Sequence, residues 1–130
     1  MTISPDEGSM SRAIYLANVL GVDMGMYYKR LDYSRYVNGR HPIAAYEFLG
    51  PKLEGKDMIL IDDMISSGDT IIKIASLLKE KGAGKVYICS TFGFFTDGLE
   101  KFDEAHKKGY FDKLLTTNLV YQSPELLEKP

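Results

Sequence analysis

The 130-residue sequence contains no tryptophan, a single cysteine and no long apolar run. Cys89 cannot form a disulfide within the chain, and its apolar neighbours favour a buried thiol over a nucleophile. No apolar run approaches the ~18 residues of a membrane span, and no signal peptide is found, so we expect a cytoplasmic protein without membrane association. Acidic and basic residues number 18 and 16, and the formal net charge of −2 argues against general nucleic-acid binding.

The composition that remains is typical of one globular domain. Hydrophobic residues make up 45% of the chain and charged residues 26%. A chain of this length can bury roughly two-thirds of the surface that it exposes when unfolded. The predicted elements run strand, helix, strand, loop, strand, helix, strand, helix, strand, which is typical of a doubly wound α/β fold. We therefore predict a mainly parallel sheet with flanking helices, formed as a single domain by residues 1–130.

Residues 58–70 carry the strongest functional signal. Residues 58–61 are apolar throughout, which predicts a strand buried on both faces. Asp62 and Asp63 follow where this strand should leave the core, and ligands of open α/β sheets bind outside the carboxyl ends of strands. A loop rich in hydroxyl groups then opens an apolar-periodic helix, and it consists of Ser66, Ser67, Gly68, Asp69 and Thr70. The backbone N–H groups of such a first turn predict a phosphate cradle.

Each of the two polar loops also has a simpler interpretation. In residues 58–70, the hydroxyl groups would only cap the helix and the aspartates would be solvated. A second loop, residues 4–8, follows a stub of strand and precedes a helix predicted from about residue 10 to residue 20. Its Asp6 could cap that helix or bind a hard cation. Farther along, the pattern Asp97-x-x-Glu100 predicts a capping box for a helix that reaches about residue 108.

A basic, tyrosine-rich segment occupies residues 29–42, after a strand predicted at residues 24–28. It is too long for an idle connection, and beside a phosphate cradle it is typical of a lid that closes over an anionic substrate. Arginine interleaved with tyrosine also suits stacked bases, so a nucleic-acid-binding or merely solvated loop is the alternative. Because the segment leaves the carboxyl end of a strand, we favour the lid and predict that residues 30–44 are mobile without ligand.

The string from residue 58 to residue 70 resembles the phosphoribosyl-binding motif of the type I phosphoribosyltransferase fold. Residues 4–8 resemble a loop of the ribose-phosphate pyrophosphokinase family, in which an aspartate helps to hold Mg²⁺; here that would be Asp6. The resemblance implies that Asp62 and Asp63 contact the 2- and 3-hydroxyls of ribose, directly or through Mg²⁺. It also implies that the loop Ser66 to Thr70 holds the 5-phosphate. Asp69 stands where glycine is common in the family, so it should point away from a bound phosphate.

The same resemblance implies catalytic residues in the basic segment. Lys29 matches a family lysine that stabilises charge on the transferred group. The accompanying arginine is usual two residues later, where this chain has Leu31, so Arg30 or Arg35 would serve instead. The implied reaction transfers diphosphate from ATP to C1 of ribose 5-phosphate, with Mg²⁺ as cofactor, in a full-length enzyme that is a homo-oligomer. That enzyme is longer, so we expect this chain to be a truncated carboxyl-terminal half that is not competent by itself.

Two other functions stay open at this stage. A nucleobase phosphoribosyltransferase would bind its phosphoribosyl pyrophosphate (PRPP) substrate on the same cradle, although no obvious segment forms a hood over a base. A non-catalytic regulatory or assembly module of the same fold would be compatible with Leu31 and with Ser66, which stands where many members have a third aspartate. Release of AMP, release of pyrophosphate, or neither, would distinguish the three functions.

Overall fold

The computed structural model describes residues 1–128 as a six-stranded sheet with flanking helices. The strands are β1 (Thr2–Ser4), β2 (Met24–Leu31), β3 (Ile43–Leu49), β4 (Met58–Ile65), β5 (Val86–Gly93) and β6 (Lys113–Thr116). The helices are α1 (Met10–Leu20), α2 (Asp69–Glu80), α3 (Glu100–Lys107) and α4 (Pro124–Leu127), with a 3-10 turn at Glu7–Ser9. The predicted α/β fold is confirmed, and residues 129–130 of the predicted single domain lie outside the described part.

The strand order β3-β2-β1-β4-β5-β6 makes the sheet doubly wound. Every neighbouring pair is parallel except β2 and β3, which are antiparallel. Right-handed crossovers place α1 on one face of the sheet and both α2 and α3 on the other, because the chain moves in opposite directions from β1 and from β4. The order reverses between β1 and β4, and the crevice at such a switch point is the usual ligand site.

The main core lies between the sheet and the two helices α2 and α3. Its fully buried side chains come from the central strands and from α2, and they include Ile3, Met58, Leu60, Val86, Ile88, Ile74 and Leu78. The prediction of a buried strand at residues 58–61 is confirmed for all but Ile59, which is half-buried. Cys89 is half-buried rather than buried, and its burial raises the pKa of the thiol, which disfavours a reactive thiolate.

The helices agree with their sequence patterns at α1 but not at α3. Helix α1 has the predicted bounds and ends at Gly21, whose φ of 66° is the left-handed conformation that glycine adopts easily. The capping box predicted before α3 is wrong, since Leu99 is the N-cap and no side chain caps the helix. Asp97 instead forms a salt bridge of 3.2 Å with Lys101. Within residues 1–128, none of the helices has the length and apolar character needed to cross a membrane.

The basic segment forms the end of a β-hairpin that the sequence did not reveal, since residues 29–31 finish β2 and residues 32–42 connect it to β3. Strand β2 continues to Leu31 instead of ending near residue 28, and β3 pairs with it in antiparallel register from Met26–Leu49 to Leu31–Ile43. Lys29 and Arg30 therefore lie within a strand. Of residues 30–44, which were predicted to be mobile, residues 30–31 and 43–44 lie in paired strands, and the lid at residues 32–42 stays a prediction.

The connection has a tight turn of its own at its tip. Val37 and Arg40 exchange backbone hydrogen bonds of 2.8 and 3.0 Å, so the chain reverses within four residues. Asn38 and Gly39 between them have φ values of 51° and 77°, the conformation that favours an Asn-Gly pair in two-residue hairpins. The hairpin therefore has defined geometry both in its strands and at its tip.

Candidate functional site

The paired aspartates lie at the carboxyl half of β4, beside the switch point of the sheet. They are inside the strand rather than after it, since β4 pairs with β5 as far as Ile65 and Gly93. Successive side chains of a strand leave opposite faces, but these two carboxyls remain close enough to hydrogen-bond to each other. Asp62 meets Ser9, while Asp63 lies 3.7 Å from Arg12 of α1.

The buried residue Ser9 connects Asp6, in the loop after β1, with Asp62 in β4. The Oδ1 atom of Asp62 accepts hydrogen bonds from Ser9 Oγ at 2.9 Å and from the backbone N–H of Asp63 at 2.8 Å. The backbone N–H of Ser9 donates to Oδ1 of Asp6 at 3.0 Å. Asp6 therefore caps the 3-10 turn and not α1, the helix that its simpler interpretation assigned to it, and the structure brings it into one hydrogen-bonded chain with Asp62. Its binding of Mg²⁺ stays a prediction.

The charges of the three acids affect one another. Burial raises the pKa of Asp62 to about 6, and the neighbouring Asp63 carboxyl and the charge of Asp6 act in the same direction. The pKa of Asp63 is lowered, first by its hydrogen bond with Asp62 and further by the charge of Arg12. The two adjacent carboxyls interact strongly enough to titrate as a pair. A cation placed near Asp6 and Asp62 would relieve their repulsion.

The donor chemistry fits Mg²⁺, although the protein supplies few ligands. Among residues 1–128, no group of three or more His, Cys, Asp or Glu side chains is arranged to hold a metal ion. Mg²⁺ does not need such a group, because it usually keeps several waters and binds one or two carboxylates together with substrate phosphates. Asp6 and Asp62 would be those carboxylates.

We predict that Asp62→Asn makes the protein more stable at neutral pH. A carboxyl whose pKa is raised in the folded state contributes stability that is complete below about pH 4 and is lost as the pH rises through about 6. Asparagine keeps an acceptor for Ser9 and removes the buried charge, so the free energy of unfolding should rise by about 2 kcal/mol at pH 7.5 and change little at pH 4. Urea denaturation between pH 4 and pH 8 measures this.

Asp63→Asn is the matched control for that prediction. Its carboxyl has a lowered pKa, so its contribution is present above its ordinary pKa of 3.8 and is lost as the pH falls. This variant should therefore lose stability at pH 7.5 rather than gain it. Unfolding curves of wild type and Asp62→Asn with the same dependence on pH would contradict the environment described for Asp62.

The loop before α2 has the geometry of an anion cradle. Gly68 is the N-cap of α2 with a φ of 89°, and its carbonyl accepts the first helical hydrogen bond, from Ile72 at 3.0 Å. A Cβ atom on Gly68 would lie 2.2 Å from Cζ of Phe102. Glycine is therefore needed both for the backbone conformation and for the packing against α3. The first-turn N–H groups of a helix have no helical partners and can bind an anion, although that of Asp69 contacts Ser67 Oγ at 3.5 Å.

The side chains of Ser66, Ser67 and Asp69 make different contacts around this turn. Asp69 forms a salt bridge of 2.9 Å with Lys101 of α3, whose hydrogen bond lowers the pKa of Asp69. Its carboxylate therefore lies beside α3 with its charge neutralised, as anion binding in the loop requires. Ser66 Oγ lies 3.5 Å from Thr96 Oγ1, and Ser67 Oγ lies 3.4 Å from the Asp69 carboxylate. The predicted binding of phosphate by Ser66, Ser67, Gly68, Asp69 and Thr70 stays a prediction.

The structure does not bring the three predicted catalytic cations together. Lys29 and Arg30 are neighbours in β2, so their side chains leave opposite faces of the strand. Arg30 Nε is engaged with Glu47 Oε1 at 3.0 Å, on β3. Arg35 is exposed in the connection 32–42, where its carbonyl oxygen accepts a hydrogen bond of 2.7 Å from His41. Among the salt bridges of residues 1–128, Arg30 is thus the predicted cation that is held by an acidic partner, and neither Lys29 nor Arg35 forms one.

Two residues of the site escaped the sequence analysis. Ser9 is 2% exposed and contacts an aspartate 53 positions away, and Arg12 follows it by one helical turn. Both belong to the segment directly after the loop at residues 4–8. The available signal was topological, since a doubly wound order puts the β1–α1 junction next to the end of β4. No residue spacing within the sequence predicts that Ser9 contacts Asp62 or that Arg12 lies near Asp63.

Comparison with known proteins agrees with this geometry. The sequence matches the family model described as phosphoribosyl transferase domain over residues 1–129. The ribose-phosphate pyrophosphokinase of Thermococcus kodakarensis is 32% identical over 121 residues, which cover 92% of this chain and 39% of that protein. Ribose-phosphate pyrophosphokinase 5 of Schizosaccharomyces pombe is 33% identical over 122 residues, covering 93% of this chain and 32% of that protein. The chain thus spans less than half the length of these curated relatives.

Solved structures extend the comparison to the fold. The phosphoribosylpyrophosphate synthetase of Mycobacterium smegmatis has a TM-score of 0.75 and 26% identity, covering 95% of this chain and 36% of that one. The adenine phosphoribosyl transferase of Trypanosoma brucei has a TM-score of 0.61 and 18% identity, covering 100% and 61%, and shares the fold. The resemblance to ribose-phosphate pyrophosphokinases is confirmed. On sequence and fold together, this chain belongs to the phosphoribosyl transferase domain family.

Proposed function

We propose that this chain is the sugar-phosphate-binding, carboxyl-terminal part of a ribose-phosphate pyrophosphokinase, a cytoplasmic and homo-oligomeric enzyme. Such an enzyme transfers diphosphate from ATP to C1 of ribose 5-phosphate and yields PRPP and AMP. The observation that carries the proposal is the cradle at Gly68 directly beside Asp62 and Asp63 at the switch point of the sheet. The relatives of known name support the same reaction class.

The cradle and the aspartates would bind opposite ends of the sugar phosphate. The 5-phosphate would accept hydrogen bonds from the first-turn N–H groups of α2 and from the hydroxyls of Ser66, Ser67 and Thr70. The carboxylates of Asp62 and Asp63 would accept hydrogen bonds from the ribose hydroxyls. Because α2 follows β4 after a short loop, both ends are held by one continuous element, which fixes the direction in which C1 points.

Charge neutralisation is the other requirement of transfer at phosphorus. Mg²⁺, when bound near Asp6, would supply a hard cation for the phosphate oxygens. Lys29, exposed on β2, would stabilise charge on the transferred group from the hairpin side. Arg30 would have to leave Glu47 before it could assist, and Arg35 would approach only by movement of residues 32–42. The chain would thus position ribose 5-phosphate, whereas ATP would be seated largely by the rest of the enzyme.

We predict that Thr70→Val weakens binding of ribose 5-phosphate. The substitution keeps the shape of the side chain and removes one hydroxyl donor from the first turn of α2. The loss should be roughly 1 kcal/mol or more, about fivefold in Kd. Isothermal titration calorimetry on the wild type and the variant measures it. Thr116→Val, on β6 at a distance from the cradle, is the control and should bind as the wild type does.

Equal affinity of Thr70→Val and wild type for ribose 5-phosphate would rule out the cradle as the phosphate site. The reaction class has a separate test in the full-length enzyme that contains this chain. Release of AMP from ATP supports the proposal, whereas release of pyrophosphate from PRPP would identify a nucleobase phosphoribosyltransferase. Release of neither product would identify a non-catalytic module of the same fold.

A further inference from the structure

Ser9 occupies the N-cap position of α1 but does not use its side chain as a helix cap. Serine is strongly preferred at this position because its oxygen normally accepts a hydrogen bond from an N–H group of the first turn. Here no such bond is formed, and Ser9 has φ and ψ of −96° and 1° rather than the extended conformation of a capping residue. The hydroxyl instead donates to Asp62 at 2.9 Å. The Ser9 side chain therefore does not cap α1 and contacts strand β4 instead.

The surroundings of Ser9 give this contact little freedom. The residue is 2% exposed, so its hydroxyl has almost no access to solvent as an alternative partner. Its backbone N–H is held by Asp6 at 3.0 Å, which fixes the position from which the hydroxyl donates. Ser9 thus donates one hydrogen bond to Asp6, in the loop after β1, and one to Asp62 in β4.

The contact also fixes the orientation of the Asp62 carboxylate. Its Oδ1 atom receives two donors, the hydroxyl of Ser9 at 2.9 Å and the N–H of Asp63 at 2.8 Å. Two donors on one oxygen restrict rotation of the carboxylate, so its other oxygen, Oδ2, would be the atom that accepts a hydrogen bond from a ligand. Without the hydroxyl, the N–H of Asp63 would be the one donor left on Oδ1, and the carboxylate could rotate about it.

We infer that Ser9 is a positioning residue that orients Asp62 toward the sugar hydroxyls and holds Asp62 and Asp6 at a fixed separation. The inference rests on the proposed function, since it assigns to Ser9 a part in recognising the ribose rather than the phosphate. Ser9 touches neither the cradle nor a substrate, and it acts through Asp62. The structure therefore divides the site into a phosphate half at residues 66–70 and a ribose half that depends on Ser9.

This division gives a direct test with two ligands. Inorganic phosphate can use only the phosphate half, whereas ribose 5-phosphate uses both. Ser9→Ala should weaken ribose 5-phosphate about tenfold, the effect of losing a hydrogen bond to a charged group, and change the Kd of inorganic phosphate less than twofold. Calorimetry at constant Mg²⁺ measures both values. Ser9→Thr, which keeps the hydroxyl, should restore the preference for the sugar phosphate.

Two further variants make the result decisive. Ser11→Ala removes an exposed hydroxyl two residues along the same helix and should leave both affinities unchanged. Ser9→Cys keeps most of the volume but replaces a strong donor by a weak one, so it tests the same bond if the alanine variant fails to fold. An undiminished preference for ribose 5-phosphate in Ser9→Ala or Ser9→Cys would overturn the inference. Equal affinity of the wild type for the two ligands would instead overturn the proposed function beneath it.

Discussion

The 130-residue chain, supplied with ATP, Mg²⁺ and ribose 5-phosphate, is expected to bind the sugar phosphate and to release almost no AMP. The chain spans 39% of the ribose-phosphate pyrophosphokinase of Thermococcus kodakarensis, and we propose that the remainder seats most of the ATP. Positioning of the two reactants is most of what such an enzyme contributes, and well-oriented groups reach effective concentrations of about 10⁵ M or more. Losing most of the ATP site should therefore reduce the rate of AMP release at least about a thousandfold.

The residues of the β2–β3 hairpin should also lower the rate of AMP release. Leu31 stands where the resemblance places a cation, and Arg30 is paired with Glu47 on β3. Lys29 then remains to offset the charge that develops on the transferred group from this side, together with Arg35 if residues 32–42 move toward the site. The deficit should be largest in kcat, because the proposed cradle for ribose 5-phosphate lies wholly within the chain.

The measurement is a coupled assay for AMP, with calorimetry on the same preparation to show that ribose 5-phosphate binds. Adding the missing amino-terminal half, fused to the chain or supplied in trans, should raise the rate. Substituting Lys29 by Met in the restored enzyme should then abolish the gain. Robust turnover by the isolated chain would contradict the prediction, and it would mean that the nucleotide site lies within residues 1–130.

Substitution of Gly68 is expected to have the largest effect on the phosphate half of the site. In Gly68→Ala the new Cβ would lie 2.2 Å from Cζ of Phe102, and the φ of 89° is unfavourable for any residue with a side chain. Phe102 is 5% exposed and packs edge-on against Phe95 with ring centroids 5.4 Å apart, so it cannot simply move away. The free energy of unfolding should fall by about 2–4 kcal/mol, and binding of phosphate should be lost.

Gly109→Ala is a matched control for that substitution. Gly109 has a φ of 78°, similar to that of Gly68, but a Cβ there would meet no atom within 4 Å. It should therefore lose only the backbone contribution, about 1 kcal/mol, and keep full affinity for phosphate. The difference between the two variants isolates the contact with Phe102. Equal destabilisation of both, measured by urea denaturation, would show that the packing of Gly68 against α3 is unimportant.

Local patterns in the sequence were enough for every strand and helix except β3 and α4, and for the two loops that carry the site. The apolar run at residues 58–61 and the periodic helix after it predict a buried strand and α2 because burial and hydrogen bonding within these elements depend on neighbouring residues. Asp62, Asp63 and the hydroxyl-rich loop that joins β4 to α2 are likewise contiguous in sequence. The functional class could be predicted because all of these features lie within thirteen positions.

The hairpin was missed because its stability is not local. Residues 43–49 combine Ile43, Tyr46 and Phe48, which favour strands, with two alanines and a glutamate, which do not, so their composition does not decide. They become β3 only because β2 offers an unpaired edge with which they can form hydrogen bonds. Pairing with β3 in turn extends β2 through Lys29 and Arg30, which separates the two cations onto opposite faces. Adjacency in the sequence therefore gave the wrong impression that they could act side by side.

By itself, the sequence determined that this protein has a doubly wound α/β fold with a phosphate cradle after its central strand, since those features are written in short-range periodicity and in a contiguous motif. Only the tertiary structure decided how the acids are connected. The strand order brings β1 next to β4, and this places Ser9 against Asp62 and Arg12 near Asp63. Such contacts join residues about fifty positions apart, and they depend on register and crossover handedness, which leave no pattern in the local sequence.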